Sequence, residues 1–400
     1  MANTLLTPDM ITKDALMVLH QKLNFVGNVV REYDSSFAQE GAKIGNTVRI
    51  RRPLQYAVGT GATIATGTGA DSVEQSFTLT VNTQKHVPMR FNSNELSMKV
   101  NDFRARHIEP AMAVLAAKIE ADALSMVSDV YNNVQCGTAV AFAEIMAGRK
   151  QLVDNLAPNA NRTALLDTQA NVDLVDALKG LYNDPKSISK MYKEGMMGHA
   201  SSFDFYENTL LANHTNGAAG GTTNYDIAGA SQVSTDADTM SLNIDTGTAV
   251  ITAGQVFTIA GVNSVHPESK TSTGIPQQFV ALTGGTGTTT LTVSPGIVIS
   301  GPRQNVSAAP ANNATITFAG AASTTYYQSC LFQQEAFAFA TADLVLPNGL
   351  DMASRQNFDG ISLRLIRDYD VIKDRLYTRM DVLYGYRTLY RQLACRLMHT

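Results

Sequence analysis

Residues 108–131 read IEPAMAVLAAKIEADALSMVSDVY. Pro110 stands where the first turn of a helix tolerates a missing N–H. Ile108, Met112, Leu115, Ile119, Ala123, Met126 and Val130 then recur at steps of three and four, which places them on one stripe. A helix from Pro110 to Tyr131 would span about 33 Å. Asp122 falls near the edge of the stripe and is its one local conflict.

Upstream the period changes. Gly45-Asn46-Thr47 is a turn signal, and Val48-Arg49-Ile50-Arg51-Arg52-Pro53 reads as a strand stopped by proline. A small-residue tract, GTGATIATGTGA at 59–70, follows. Phe77, Leu79 and Val81 then alternate with Thr78, Thr80 and Asn82, the period of a strand with one apolar face. The expectation for 46–90 is a long hairpin whose arms, of about 15 residues, reach about 50 Å and lie on something outside their own domain. Further upstream, Thr7-Pro8 opens a helix read over 7–31, with Leu16, Leu19, Leu23, Val26 and Val30 on a narrow stripe. That stripe suits either its own chain or a neighbour.

Downstream, helices are expected at 139–156 and from Asp167 or Thr168 to about Leu181, with a strand at 162–166 between them. The alternation implies an α+β or α/β core. From 229 to 322 the chain carries six charged residues: Asp236, Asp238, Asp245, Glu268, Lys270 and Arg303. Short apolar runs such as Val256–Ile259, Phe279–Leu282 and Leu291–Val293 alternate there with Gly, Ser, Pro and Asn, the pattern of an inserted antiparallel barrel or sandwich. The stretch Ile361–Leu397 closes the sequence with strand-like segments rich in Tyr and Arg.

Composition narrows the function classes. Of 400 residues 44% are hydrophobic, enough for a sizeable core. Charged residues are 16%, against about 25% for average soluble domains, which suits either a neutral soluble protein or a subunit whose surface is covered by neighbours. A net charge of −4 argues against a dedicated nucleic-acid binder. No apolar run approaches the roughly 20 residues of a membrane span, and Met1-Ala2-Asn3-Thr4 lacks the layout of a signal peptide. Cys136, Cys330 and Cys395 are odd in number and widely spaced, which suits reduced thiols.

Chemical motifs are scarce. The tracts at 59–70 and 284–290 lack the Lys-Ser/Thr of a phosphate loop. His20, His86, His107, His199, His214, His266 and His399 are dispersed, without i, i+4 pairs or a Cys-x-x-Cys. No Gly-x-Ser-x-Gly elbow occurs. The sequence therefore assigns no catalytic residue, cofactor or metal site. In the C-terminal segment Arg364, Arg367, Arg375, Arg379, Arg387, Arg391, Arg396 and Lys373 interleave with Tyr369, Tyr377, Tyr384, Tyr386 and Tyr390. They read either as a stacking and phosphate surface or, better, as arginines paired with Asp370, Asp374 and Asp381 or with a neighbour.

The order of elements resembles the major capsid (coat) proteins of tailed bacteriophages, and within them the podovirus-type coat family with a β-rich insertion. The likeness is carried by Gly45–Pro53, by Pro110-Ala111-Met112, by Gly195-Met196-Met197-Gly198-His199 with Phe203–Asn208, and by His214-Thr215-Asn216-Gly217 ahead of the insertion. It implies an α+β, Johnson-type phage capsid fold, shared with herpesviruses. The arm would be 1–45, the extended hairpin loop 46–92 and the spine-helix region 93–135. An apical and peripheral core would follow at 136–228, the inserted β-barrel at 229–322, and the return to both domains at 323–400. The function implied is a shell-forming subunit. Its pentameric and hexameric capsomers would build an icosahedral virion with scaffolding protein, portal protein and weakly held double-stranded DNA, assembled in the host cytoplasm without a membrane. Leu16, Leu19, Leu23, Val26, Val30, Arg49, Ile50, Arg51, Phe77 and Leu79 are the candidate inter-subunit contacts. No motif identifies the Lys–Asn crosslink of some relatives. The rival classes are a hydrolase-like enzyme with a β-rich accessory domain and a nucleic-acid binder using the Arg/Tyr segment.

Overall fold

The computed structural model describes residues 8–34, 47–56, 76–92, 107–178, 198–347, 349–371 and 375–400. The glycine-rich tract at 59–70, Gly195-Met196-Met197, Lys373 and Asp374 lie outside the described residues. The chain divides into two units, one formed by 1–50, 76–124 and 337–389, the other by 51–75, 125–336 and 390–400.

In the first unit, helix α1 runs from Pro8 to Lys22, shorter than the 7–31 expected. The reason is a competitor for its backbone. The Glu120 carboxylate accepts the N–H of Asn24 at 3.1 Å and of Val26 at 3.3 Å, and that of Phe25 as well. The chain therefore leaves the helix, makes a 3-10 turn at Val26–Asn28 and enters the strand Val30–Asp34, parallel to Phe337–Ala342. Leu16, Leu19, Leu23 and Val26 are all buried in spite of the break. The stripe faces α2 and the strands Met352–Phe358 and Ile361–Asp370 of its own unit.

Helix α2 spans Glu109–Leu124 and passes into a 3-10 turn, Ser125–Asp129, so the expected 22-residue helix is two elements. Every member of the stripe from Ile108 to Val130 is buried. Asp122 is no longer a conflict: the Tyr384 hydroxyl donates to it at 2.7 Å, with Lys85 at 3.5 Å and Lys118 at 3.4 Å. Burial pulls this carboxyl upward, but the hydroxyl and the two ammonium groups outweigh it and hold it below its ordinary value.

The sheet of this unit orders Val30–Asp34, Phe337–Ala342, Arg375–Thr388, Ile361–Asp370 and Met352–Phe358, with Thr83–Asn92 also on Arg375–Thr388. That last pairing corrects the long hairpin. Thr47–Arg51 pairs with Ser76–Thr80 as a short two-stranded ribbon, while Thr83–Asn92 runs antiparallel along Arg375–Tyr384. The buried face of the return arm explains the split: Phe77, Leu79 and Val81 are covered within the chain, and Arg387 lies over the Phe77 ring at 5.3 Å.

In the second unit a mixed sheet orders Asn133–Gln135, Ala394–His399, Thr325–Gln333, Arg162–Leu166, Phe203–Glu207 and His199–Ala200. Arg162–Leu166, at the position expected, is buried at every residue, as befits a strand covered on both faces. Helix α3 is Phe142–Asp154, where Glu144 accepts the N–H of Ala141 at 3.0 Å. Helix α4 is Thr168–Leu178, capped by Asp167 through the N–H groups of Gln169 and Ala170.

The inserted domain is a closed barrel of six strands. Around it run Gly221–Ile227, Met240–Asp245, Thr290–Ser294, Ser272–Ala281, Val256–Val265 and Thr315–Phe318, which returns to Gly221–Ile227. The barrel thus begins eight residues before the expected 229, because Gly221–Ile227 closes it. Tyr225, Leu242, Phe257, Phe279, Leu291 and Phe318 fill the inside, with Phe257 and Phe279 stacked at 5.7 Å. Each such ring contributes about 1.5–3 kcal/mol by leaving water.

Candidate functional site

The second unit's polar side chains converge where the barrel meets the mixed sheet. Gln278, on a barrel strand, accepts the N–H of Asn133 at 2.8 Å and donates to its carbonyl at 2.9 Å. One carboxamide thereby satisfies both main-chain groups at the edge of the sheet, as another strand would. Arg391 is ion-paired with Asp238 of the barrel, both about nine-tenths buried. Arg396, fully buried, donates to the carbonyl of Gly254 at 2.9 Å and to Gln328 at 3.4 Å. Burial drags its guanidinium down to about 10, and nearby acidic groups only partly offset it. Tyr131 adds an apolar contact against Val256 and Val280.

The segment His214-Thr215-Asn216-Gly217 is the hinge post of this junction. Asn216 donates to the carbonyls of Ala319 at 2.9 Å and Ala321 at 3.1 Å, tying the entry of the barrel to its exit. Thr252 donates its hydroxyl to the Thr215 carbonyl at 3.0 Å. A β-carbon on Gly217 would stand 2.0 Å from the Val250 carbonyl oxygen, so glycine alone fits there. His214 is buried against Gly254, and its Nε2 has no partner among the described residues. Burial, then the charge of Arg396, lowers its pKa to about 4, so the ring is neutral at physiological pH.

A second cluster joins His399, Asp167 and Ser329. Ser329 donates to Asp167 Oδ1 at 2.8 Å, and His399 Nε2 lies 2.9 Å from the same oxygen. The serine is thus bound to the carboxylate and has no base of its own, so the group caps α4 and does not activate a nucleophile. The thiols of Cys136 and Cys330 are pushed up to about 12 by burial, and that of Cys395 also lies well above its ordinary value. Among the described residues, no three His, Cys, Asp or Glu side chains are grouped to hold a metal, and no helix is long and apolar enough to cross a membrane.

The candidate contact residues fall into two groups. Leu16, Leu19, Leu23, Val26, Phe77 and Leu79 are buried in the subunit's own core, which corrects their assignment to a neighbour. Arg49 and Arg51 are exposed, Ile50 is half-buried, and Val30 is half-buried in its parallel strand. The C-terminal arginines are largely engaged. Arg364 and Arg379 both pair with Asp381, Arg367 pairs with Asp351, and Arg387 donates to the Thr78 carbonyl at 2.6 Å. Asp381 is one of the three aspartates expected as partners. Asn133 and Gln278 carried no signal in the sequence, Asp238, Arg391 and Arg396 stood out there only as charges, and only the His-Thr-Asn-Gly segment signalled the junction.

A family model described as the P22 coat protein (gene protein 5) matches residues 9–394. No curated protein matches the chain. Among solved structures, the capsid of cyanophage P-SCSP1u is similar at 8% identity and a TM-score of 0.47, covering 94% of this chain and 89% of that one. The Mycobacterium phage Che8 structure is similar at 10% identity and a TM-score of 0.42, covering 94% and 90%. The CUS-3 coat protein I-domain is 33% identical over 24% of this chain and 97% of its own, with a TM-score of 0.20.

Proposed function

The chain belongs to the P22 coat protein family and is a phage major capsid protein that forms the shell; from that premise we propose that it assembles through a scaffolded precursor that matures as double-stranded DNA is packaged. In this reading pentameric and hexameric capsomers close an icosahedral shell in the host cytoplasm, with a scaffolding protein inside and a portal at one vertex. The role is structural and not catalytic.

The observation that supports it best is the division of labour within the chain. The barrel is held to the mixed sheet of its unit by Gln278, Asp238 and the Gly254 carbonyl, which makes it a fixed fitting on the subunit. The short ribbon with exposed Arg49 and Arg51 is left for contacts with neighbours. Many modest contacts of that kind, multiplied by valency, hold a shell that can still rearrange. A net charge of −4 keeps the wall from gripping packaged duplex tightly.

The test is expression of the chain with and without a scaffolding protein, followed by electron microscopy and sedimentation. Uniform closed shells with scaffold, and aberrant or open ones without it, are expected. Uniform shells from the chain alone would remove the scaffold from the proposal. Changing Arg49 and Arg51 to Glu is expected to leave the subunit's thermal melt unchanged while reducing shell yield. An unchanged yield would take the ribbon out of the contact set.

A further inference from the structure

Helix α3 has a second apolar face besides the one its packing uses. Ile145, Gly148 and Leu152 are buried, and a β-carbon on Gly148 would stand 2.5 Å from Leu331 of the mixed sheet, so the inner face is fixed. Met146, Arg149 and Val153 follow at i, i+3 and i+7 on another side of the helix. Met146 is 36% exposed and Val153 44%, one turn either side of Arg149. Single exposed apolar side chains are ordinary, but two that flank an arginine have the composition of an interface centre.

The charge in that face is unsettled. Arg149 neighbours Arg162, the first residue of strand Arg162–Leu166. Arg162 is 1% exposed and donates from Nε to the Pro158 carbonyl at 2.7 Å and from Nη2 to that of Ala157 at 2.6 Å. Its Nη1 and the Nε of Arg149 are buried and have no partner among the described residues. Burial first, and the charge of Arg149 second, hold the Arg162 guanidinium below its ordinary value, and no carboxylate among the described residues opposes them. Two adjacent guanidinium groups stripped of water and without a counter-charge are costly, and an incoming carboxylate returns that cost. Arg149 is half-buried, so the pair is reached from its side.

The same unit carries the complement. Helix α4 and the segment His199–Glu207 contain no Lys or Arg. Val172 on α4 is 58% exposed. Beside it in the chain, Asn171 donates to the exposed Glu207 at 2.8 Å, and Asp173 accepts from Gln169 at 2.8 Å, so neutral donors meet both carboxylates. We propose that the Met146–Arg149–Val153 face of one subunit docks on the Val172–Glu207 edge of a second copy of the chain, with the Glu207 carboxylate on Arg149. The contact joins two different surfaces and therefore repeats head to tail, as in a ring of subunits. It rests on the shell-forming reading above and specifies one contact within it.

The experiment measures the yield of assembled particles by sedimentation, beside a circular-dichroism melt of each full-length variant. Arg149→Glu and Glu207→Arg are each expected to lower the yield about fivefold or more with the subunit's melt unchanged. The double variant, which restores the pair with its charges exchanged, is expected to recover about half of the parent yield or more. Lys150→Glu, on a further face of the same helix, should leave the yield unchanged. Parent-like yield in Arg149→Glu, or an equal loss in Lys150→Glu, overturns the proposal. A double variant no better than either single one overturns it as well. Should Arg149→Glu fail to fold, Val153→Asp and Glu207→Arg, both on exposed sites, carry the test, and parent-like yield in either refutes the contact. A loss confined to reactions that contain scaffolding protein would make that protein the occupant and also overturn the proposal. Scaffold dependence itself is judged on the shape of parent shells, so the two readings fail separately.

Discussion

Replacing Glu120 by Gln is the sharpest test of how the N-terminal segment is held. The side chain is 1% exposed, and its two oxygens accept three successive backbone N–H groups, from Asn24, Phe25 and Val26. A carboxamide keeps the shape but has a single acceptor. If its oxygen stays with Asn24 and Phe25, its NH₂ faces the N–H of Val26. The two retained bonds fall from charge-assisted to neutral, a loss of about 1 kcal/mol each. The orphaned, buried N–H costs about 1–3 kcal/mol more. Together the substitution is expected to destabilise the first unit by about 3–5 kcal/mol, or about 6 °C or more in Tm at 2–4 °C per kcal/mol. Thermal melts give the magnitude, and amide hydrogen exchange at Phe25 and Val26 gives the place. A variant that melts within about 1 °C of the parent, with both amides still protected, would refute the reasoning. The turn at residues 24–28 would then be held by the apolar stripe of α1 alone.

Other outcomes can be checked with equal economy. His214 is buried neutral, so the unfolded chain takes up a proton near pH 6.5 while the folded one waits until about 4. Its contribution is therefore complete above about pH 6.5 and is lost as pH falls toward 4. Urea midpoints of the parent and of His214→Gln should converge over that interval, and parallel curves would refute the assignment. Gly217→Ala should cost soluble, folded subunit, because its β-carbon meets a backbone carbonyl that has nowhere to move. Normal yield and melting would show that the barrel's entry can shift. A double-mutant cycle on Asp238 and Arg391 should return a coupling of about 1 kcal/mol or more in denaturant unfolding, and additivity would mean that the pair does not seat the barrel. A fragment covering 217–322 should fold cooperatively with β-type dichroism. One starting at 229 should not, since it lacks the strand Gly221–Ile227 that closes the ring.

Much of the fold was legible because it is written in local periodicity. The stripe from Ile108 to Val130 is one face of a helix whatever surrounds it, and all of it is buried. Strand Arg162–Leu166, the Asp167 cap of α4 and the run of short barrel strands followed from equally short-range signals. What periodicity does not carry is the identity of the surface a stripe meets. The α1 stripe read equally well for its own chain or a neighbour, and the structure resolves it for the chain. The alternation of Phe77, Leu79 and Val81 was legible, but the strand that follows it, Thr83–Asn92, joined the sheet through Arg375–Tyr384, nearly 300 residues away.

The site is the extreme case. Asn133 meets Gln278, Asp238 meets Arg391 and Arg396 meets the Gly254 carbonyl across separations of 145, 153 and 142 residues. Alone in the sequence each looks like an ordinary polar residue, and the Arg/Tyr stretch read better as paired arginines than as a phosphate surface without showing which partner each would take. The sequence by itself determined which residues turn inward along each element, because side-chain direction follows from the 3.6 and 2.0 residue repeats of the backbone. Tertiary structure alone decided which buried charge faces which partner. A lone buried ion is too costly to keep, so its position is set by where two distant segments cross, and no local pattern records that crossing.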